Sequence, residues 1–293
     1  MRSISGFSVT KILLLVFSFL FLFSCATTGQ IVSVPSPQEV LPQWTLVDDA
    51  TGGLSYYAGK ISRPRLEFCA LRIDLFSPEL RITAAGGAGS PEAFLSIKVS
   101  SFVRENNLLA GINALPFDPV SDREGEPRTN VGIVIAGGVM ISPPHREFDA
   151  LVFYADGGAA IVSQREIRSA ENIAVAAGGF RRILEDGEPA ARVLNLDARH
   201  PRSAAGISSG SRYLYLLVID GRRPGSVGST EAETALLLRA LGANEGINFD
   251  GGGSSALALR FSDGAVRVVN KPVHGGIPGR ERAVAGCLGV ASK

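Results

Sequence analysis

Two carboxylates in this chain each follow an apolar run and directly precede glycine, a position from which a rigid strand end can project a polar group. The first is Asp250, in Asn248-Phe249-Asp250-Gly251-Gly252-Gly253-Ser254-Ser255. Glycines lack Cβ and let backbone N–H groups close on a ligand, and such concave turns favour anions. Asp250 beside Gly251, Gly252, Gly253 and Ser254 therefore fits a catalytic acid next to an anion cradle. A turn in which Asp250 bonds only its own backbone fits the same eight residues equally well. The second carboxylate is Asp220, which ends the run Tyr213–Ile219 and is followed by Gly221 and Arg222. Its plainer alternative is a hairpin turn with solvated arginines.

Two further clusters could join them. Arg199-His200-Pro201-Arg202-Ser203 precedes a strand-like run. A guanidinium grips phosphate or carboxylate through a planar fork, so Arg202 is a candidate anion clamp, and His200 is a candidate acid, base or orienting donor. An exposed salt-bridging arginine and a structural histidine are the ordinary uses of those residues. Glu233 lies in a segment with helical spacing, where a glutamate usually faces solvent. If the clusters converge, carboxylates of Asp220, Asp250 and Glu233 face guanidinium groups. That set can stabilise a cationic sugar centre and hold an anionic leaving group.

The elements that must position these residues are mostly short strands. Alternation marks Leu66–Leu75 and Leu80–Ala84, and short apolar segments follow at Leu109–Ile112, Val131–Ile135, Ala150–Tyr154, Ala159–Val162 and Ile173–Ala176. Ser203–Ile207 and Tyr213–Asp220 flank Ser208-Ser209-Gly210-Ser211, a hairpin signal. One helix is expected from Pro91 to Asn107, with Ser90 as N-cap, and a second from about Thr230 to Leu241, ending at Gly242. The glycine loop should lie between a run ending at Asn248 and a strand at Ala256–Leu259. With 34 glycines and few aromatics, the chain reads as an α+β fold of mixed or mainly antiparallel sheets with a few helices in a single domain.

Lys and Arg (29) nearly cancel Asp and Glu (28), which removes the broad basic footprint of a nucleic-acid binder and leaves anion affinity to local arginines. At the N-terminus, Arg2 and Lys11 precede the apolar run Ile12–Phe23. That run is short for a membrane span and reads as an export signal. Leu22-Phe23-Ser24-Cys25 resembles a bacterial lipobox, making Cys25 the expected lipidation site, although Phe23 is bulkier than the usual occupant. The division expected is a signal peptide at 1–24, a flexible Thr, Ser, Pro and Gln rich tether at 25–43, and a folded domain at 44–293. The protein would then be an exported lipoprotein of the bacterial cell envelope, tethered to the membrane by lipid. Cys69 and Cys287 lie in apolar strand-like runs, which suits two buried thiols better than a disulfide.

Taken in order, Pro201-Arg202-Ser203-Ala204, Asp220-Gly221-Arg222, the helical Glu233 and Asn248–Ser255 resemble the phosphodiester glycosidase family, as does the stretch from Glu281 to Val290 that contains Arg282. The resemblance implies hydrolysis of a sugar-1-phosphodiester to sugar and phosphomonoester. It points to Asp250, Asp220 and Glu233 as the catalytic carboxylates. Arg202, Arg222, Arg282, His200, Asn113 and the glycine loop would bind substrate and phosphate. No cofactor is implied. One departure stands out: where the family often reads Asn-Gly-Gly-Phe-Phe-Asp, this chain has Asn113-Ala114-Leu115-Pro116-Phe117-Asp118, and Ala114 and Leu115 are expected to narrow or reshape the pocket. Two rival readings follow: a non-catalytic envelope protein that binds phosphate-linked glycans or exopolysaccharide, and a scaffold in which Asp220 and Asp250 hold a structural divalent cation.

Overall fold

The computed structural model describes residues 44–45, 52–84, 94–120 and 123–293. The elements that bear on the site are β1 (Trp44–Thr45), β2 (Leu54–Ser62), β3 (Arg65–Asp74), α1 (Val99–Glu105), β4 (Ala110–Asn113), β5 (Arg181–Glu185), β6 (Arg202–Ile207), β7 (Tyr213–Ile219), α2 (Glu231–Leu241), β8 (Glu245–Asn248), β9 (Leu257–Arg260) and β10 (Cys287–Ser292). An eight-stranded sheet runs β1-β2-β3-β7-β6-β8-β5 and ends on Glu188–Pro189. A second, five-stranded sheet places β9, β4 and β10 side by side between Val266–Val268 and Leu80–Ala84. A third is built from strands between Val134 and Gly178. Strand pairing in all of them is antiparallel among the described residues. The architecture is thus dominated by sheet, with two α-helices among the described residues.

Side chains alternate across a strand, and β7 shows what that does here. Leu214, Leu216 and Val218 enter the main core, which also holds Ile112, Leu257 and Leu288 of the second sheet. Tyr215, Leu217 and Ile219 enter a second cluster beneath α2, against Leu237, Leu238 and Leu241. A strand covered on both faces has no polar face, which is why Tyr213–Ile219 reads as an unbroken apolar run.

Helix α2 starts and stops where its sequence signals say. Thr230 accepts a hydrogen bond from the Glu233 amide at 3.1 Å while the Glu233 carboxylate accepts one from the Thr230 amide at 3.1 Å, a reciprocal cap. Gly242 closes it in the left-handed conformation. The expected helix from Pro91 to Asn107 needs correction. Ser90 and Pro91 lie outside the described residues, Phe94–Leu95 is a strand paired with Pro127–Arg128, and α1 begins only at Val99. Backbone pairing with distant segments, including the Ile97–Val284 bridge, overrides the helical spacing there. The lipobox, the tether and Cys25 also lie outside the described residues. Cys69 and Cys287 are both buried free thiols.

Candidate active site

The glycine loop leaves β8 and passes over the start of β6. Buried Asn113, at the end of β4, ties the two together. Its Nδ2 donates to the Asp250 carbonyl at 2.6 Å, and its Oδ1 accepts from Ser203 Oγ at 2.7 Å and from the Ala256 amide at 3.1 Å. Asp250 is held further by its amide, which donates to the Ala114 carbonyl at 2.8 Å. The Gly252 amide donates to the Pro201 carbonyl at 2.9 Å, so one of the loop's own donors is spent on the fold. Gly253 leaves room for two side chains: a methyl group there would stand 2.7 Å from the Arg282 guanidinium and 2.9 Å from His274 Nδ1, so both would have to shift.

A small open pocket of about 240 Å³ lies over this loop, lined by His200, Pro201, Arg202, Arg222, Gly251, Gly252, Gly253 and Arg282. Its three guanidinium groups are not alike. Arg202 is buried and committed, donating to the Ser229 carbonyl (3.1 Å), the Ala198 carbonyl (2.9 Å) and Glu231 Oε1 (3.4 Å). Arg282 donates through NH1 to Ser254 Oγ at 3.2 Å and through Nε to His274 Nδ1 at 3.1 Å. Arg222 is exposed, and its guanidinium lies over Gly252 with no ion partner among the described residues. It adopts a left-handed backbone, φ 59°, a conformation that costs a non-glycine residue about 1–2 kcal/mol and aims the side chain at the loop. Burial and then the charges of Arg202 and Arg222 lower the pKa of His200, which favours the neutral imidazole.

Asp250 stands at the root of the same loop, half-buried. Burial pushes its carboxyl up to about 6, against hydrogen bonds from Ser254 and the Gly251 amide and the charge of Arg282, all of which favour the ionised form. The Ser254 hydroxyl accepts from Arg282 and donates to Asp250, so arginine and carboxylate share one hydroxyl between them. A carboxylate raised toward neutrality beside a guanidinium at an arginine-lined pocket is a common electrostatic signature of a reacting centre.

The other two predicted carboxylates do not line this pocket, and their oxygens are bonded within the protein. Asp220 is buried at the end of β7, where its oxygens accept from Asn270 Nδ2 (3.0 Å), the Lys271 amide (3.0 and 3.1 Å) and Arg223 NH2 (2.6 Å). Asn270 in turn donates to the Ser255 carbonyl and accepts from the Leu257 amide, so Asp220 braces the far side of the glycine loop. With its oxygens so engaged, Asp220 is not a cation ligand, and no cluster of three metal-ligating side chains occurs among the described residues. Glu233 caps α2 and is gripped by both terminal nitrogens of Arg199. Asn113 is a brace too deep to touch a ligand. Ala114 and Leu115 are fully buried in the main core, so they do not line or narrow the pocket. Sequence reasoning passed over His274, Glu231 and Asn270. Glu231 meets Arg202 and Asn270 meets Asp220 across long stretches of chain, His274 meets Arg282 eight residues on, and no local pattern marks any of the three.

Comparison with known proteins adds the family. A profile described as phosphodiester glycosidase matches residues 106–291, a span that includes every residue of the pocket. The chain belongs to the phosphodiester glycosidase family. Among solved structures, the fold is similar to the zebrafish N-acetylglucosamine-1-phosphodiester alpha-N-acetylglucosaminidase catalytic domain, auto-inhibited by its pro-peptide, with TM-score 0.61, 18% identity, and coverage of 86% of this chain and 87% of that one. It is also similar to a hypothetical protein from Synechocystis, with TM-score 0.60, 14% identity and coverage of 84% of this chain. The chain spans 63% of the length of that Synechocystis protein. No curated protein sequence gives a significant match. At these identities the two structures speak to the fold, while membership of the phosphodiester glycosidase family rests on the profile.

Proposed function

We propose that the protein is an exported, lipid-anchored hydrolase that cleaves the glycosidic bond of a sugar-1-phosphodiester of the N-acetylglucosamine-1-phosphodiester kind. The observation that carries this reading is the pairing of Asp250, whose pKa is raised to about 6, with the arginine-lined pocket over the glycine loop. Membership of the phosphodiester glycosidase family supports it, as does the fold shared with the zebrafish glycosidase.

The chemistry follows from the leaving group. Breaking the bond between the anomeric carbon and the phosphate oxygen leaves both bonding electrons on phosphate, whose charge grows from −1 in the diester to −2 in the monoester. Such a leaving group needs no proton, unlike the alcohol of an ordinary glycoside. It needs positive charge aimed at the growing anion, which Arg222 and Arg282 supply at the pocket. Neutral His200 adds a hydrogen-bond donor. Asp250, ionised above pH 6, either attacks the anomeric carbon or takes a proton from the attacking water. Arg202 shapes the pocket floor.

Sugar release from an N-acetylglucosamine-1-phosphodiester, followed by chromatography, tests the reading. We expect turnover by the parent protein and none by Asp250→Asn. Binding without release by the parent protein would replace the hydrolase with a glycan-binding protein. The anchor is tested separately: Cys25→Ser should abolish incorporation of labelled fatty acid and shift the protein from membrane to soluble fractions.

A further inference from the structure

We propose that His274 is a positioning residue of this site, acting only as a neutral imidazole whose Nδ1 holds Arg282 in its phosphate-facing orientation; the proposal rests on the functional reading above. His274 is buried, at the end of the short strand Val273–His274, which pairs with Ile277–Pro278. Its Nδ1 lies 3.1 Å from Arg282 Nε. An arginine nitrogen in a guanidinium can only donate, so Nδ1 must accept and carries no proton. An imidazolium has no such acceptor.

The consequence reaches the reacting carboxylate. Held at Nε by His274, Arg282 turns NH1 to Ser254 Oγ at 3.2 Å, and Ser254 in turn bonds Asp250. Gly253 leaves the room this requires, since a side chain there would strike both Arg282 and His274. Arginine carries substantial side-chain entropy, and a partner that fixes its fork before ligand arrives removes that cost from binding. His274 thus acts on phosphate through Arg282, without touching it.

Calorimetric titration with inorganic phosphate tests this without relying on turnover. Asparagine places Oδ1 close to where histidine places Nδ1, whereas glutamine reaches only the Nε2 position. We therefore expect His274→Asn to keep phosphate affinity within about threefold, and His274→Gln and His274→Leu to weaken it about tenfold. Arg282→Ala should lose at least as much, and adding His274→Leu to it should cost nothing more, the non-additivity of residues acting as one unit. Additive losses, equal affinity in the glutamine and asparagine variants, or no phosphate binding by the parent protein would overturn the proposal. Because asparagine and glutamine are both polar replacements, their contrast stands even if the leucine variant fails to fold. Absence of sugar release with the phosphate series intact would sink the hydrolase reading and leave the role of His274 in place.

Discussion

Asp220 and Asp250 look alike in sequence, each an acid after an apolar run and before glycine, yet the fold gives them opposite surroundings. Asp220 is met by an amide, an asparagine and a guanidinium, and Arg223 also binds Glu67, holding that carboxyl below its usual range. Asp250 is half-buried among fewer donors, and burial prevails over the hydrogen bonds that oppose it. A carboxylate with saturated oxygens is a strut, while one that is short of donors holds its charge at a cost and can react. What distinguishes them is the supply of donors from segments far away in the chain.

The largest effect that would test this contrast is on turnover. Asp250→Asn should lower kcat by about 10³-fold or more while the protein stays folded. The same change should stabilise the fold at neutral pH. The native carboxyl, raised to about 6 from an ordinary 3.8, contributes fully to stability only below about pH 4 and loses that contribution as pH rises through 6, roughly 3 kcal/mol at most. Asp250→Asn should therefore gain up to that amount at pH 7 and little at pH 4, in denaturant titrations at both values. Asp220→Ala should do the reverse, destabilising by about 3–5 kcal/mol because Arg223 is left buried without one of its partners. If instead Asp220→Ala folds with full stability and loses turnover, the two roles have been exchanged.

Smaller changes sharpen the contrast. Arg222→Ala should lower kcat/KM about ten- to hundredfold through loss of a charge-assisted contact to phosphate, with unfolding midpoints unchanged. Glu233→Ala should cost about 1–2 kcal/mol through loss of the reciprocal cap and the Arg199 pair, with kcat unaltered in protein that remains folded.

How much of this was legible beforehand depended on the range of the forces involved. Helix α2 was readable because Thr230, Glu233 and Gly242 act within one turn of its ends. The Ser208–Ser211 hairpin was readable for the same reason, with β6 and β7 pairing on either side as expected. The glycine loop and its arginines could be named from residue types. Their division of labour could not, since Arg202 is absorbed by Glu231 and two carbonyls, while Asp220 meets Asn270, 50 residues further along. The start of α1 was missed where strand pairing prevailed, and the effect assigned to Ala114 and Leu115 was wrong because nothing local tells which way a side chain turns.

The most direct test of the claim that surroundings make Asp250 the reactive carboxylate is its own titration. In protein labelled with carbon-13 at aspartate carboxyls, the resonance missing from Asp250→Asn should move with a midpoint near pH 6. A midpoint near 3.8, the ordinary value for this side chain, would contradict the account.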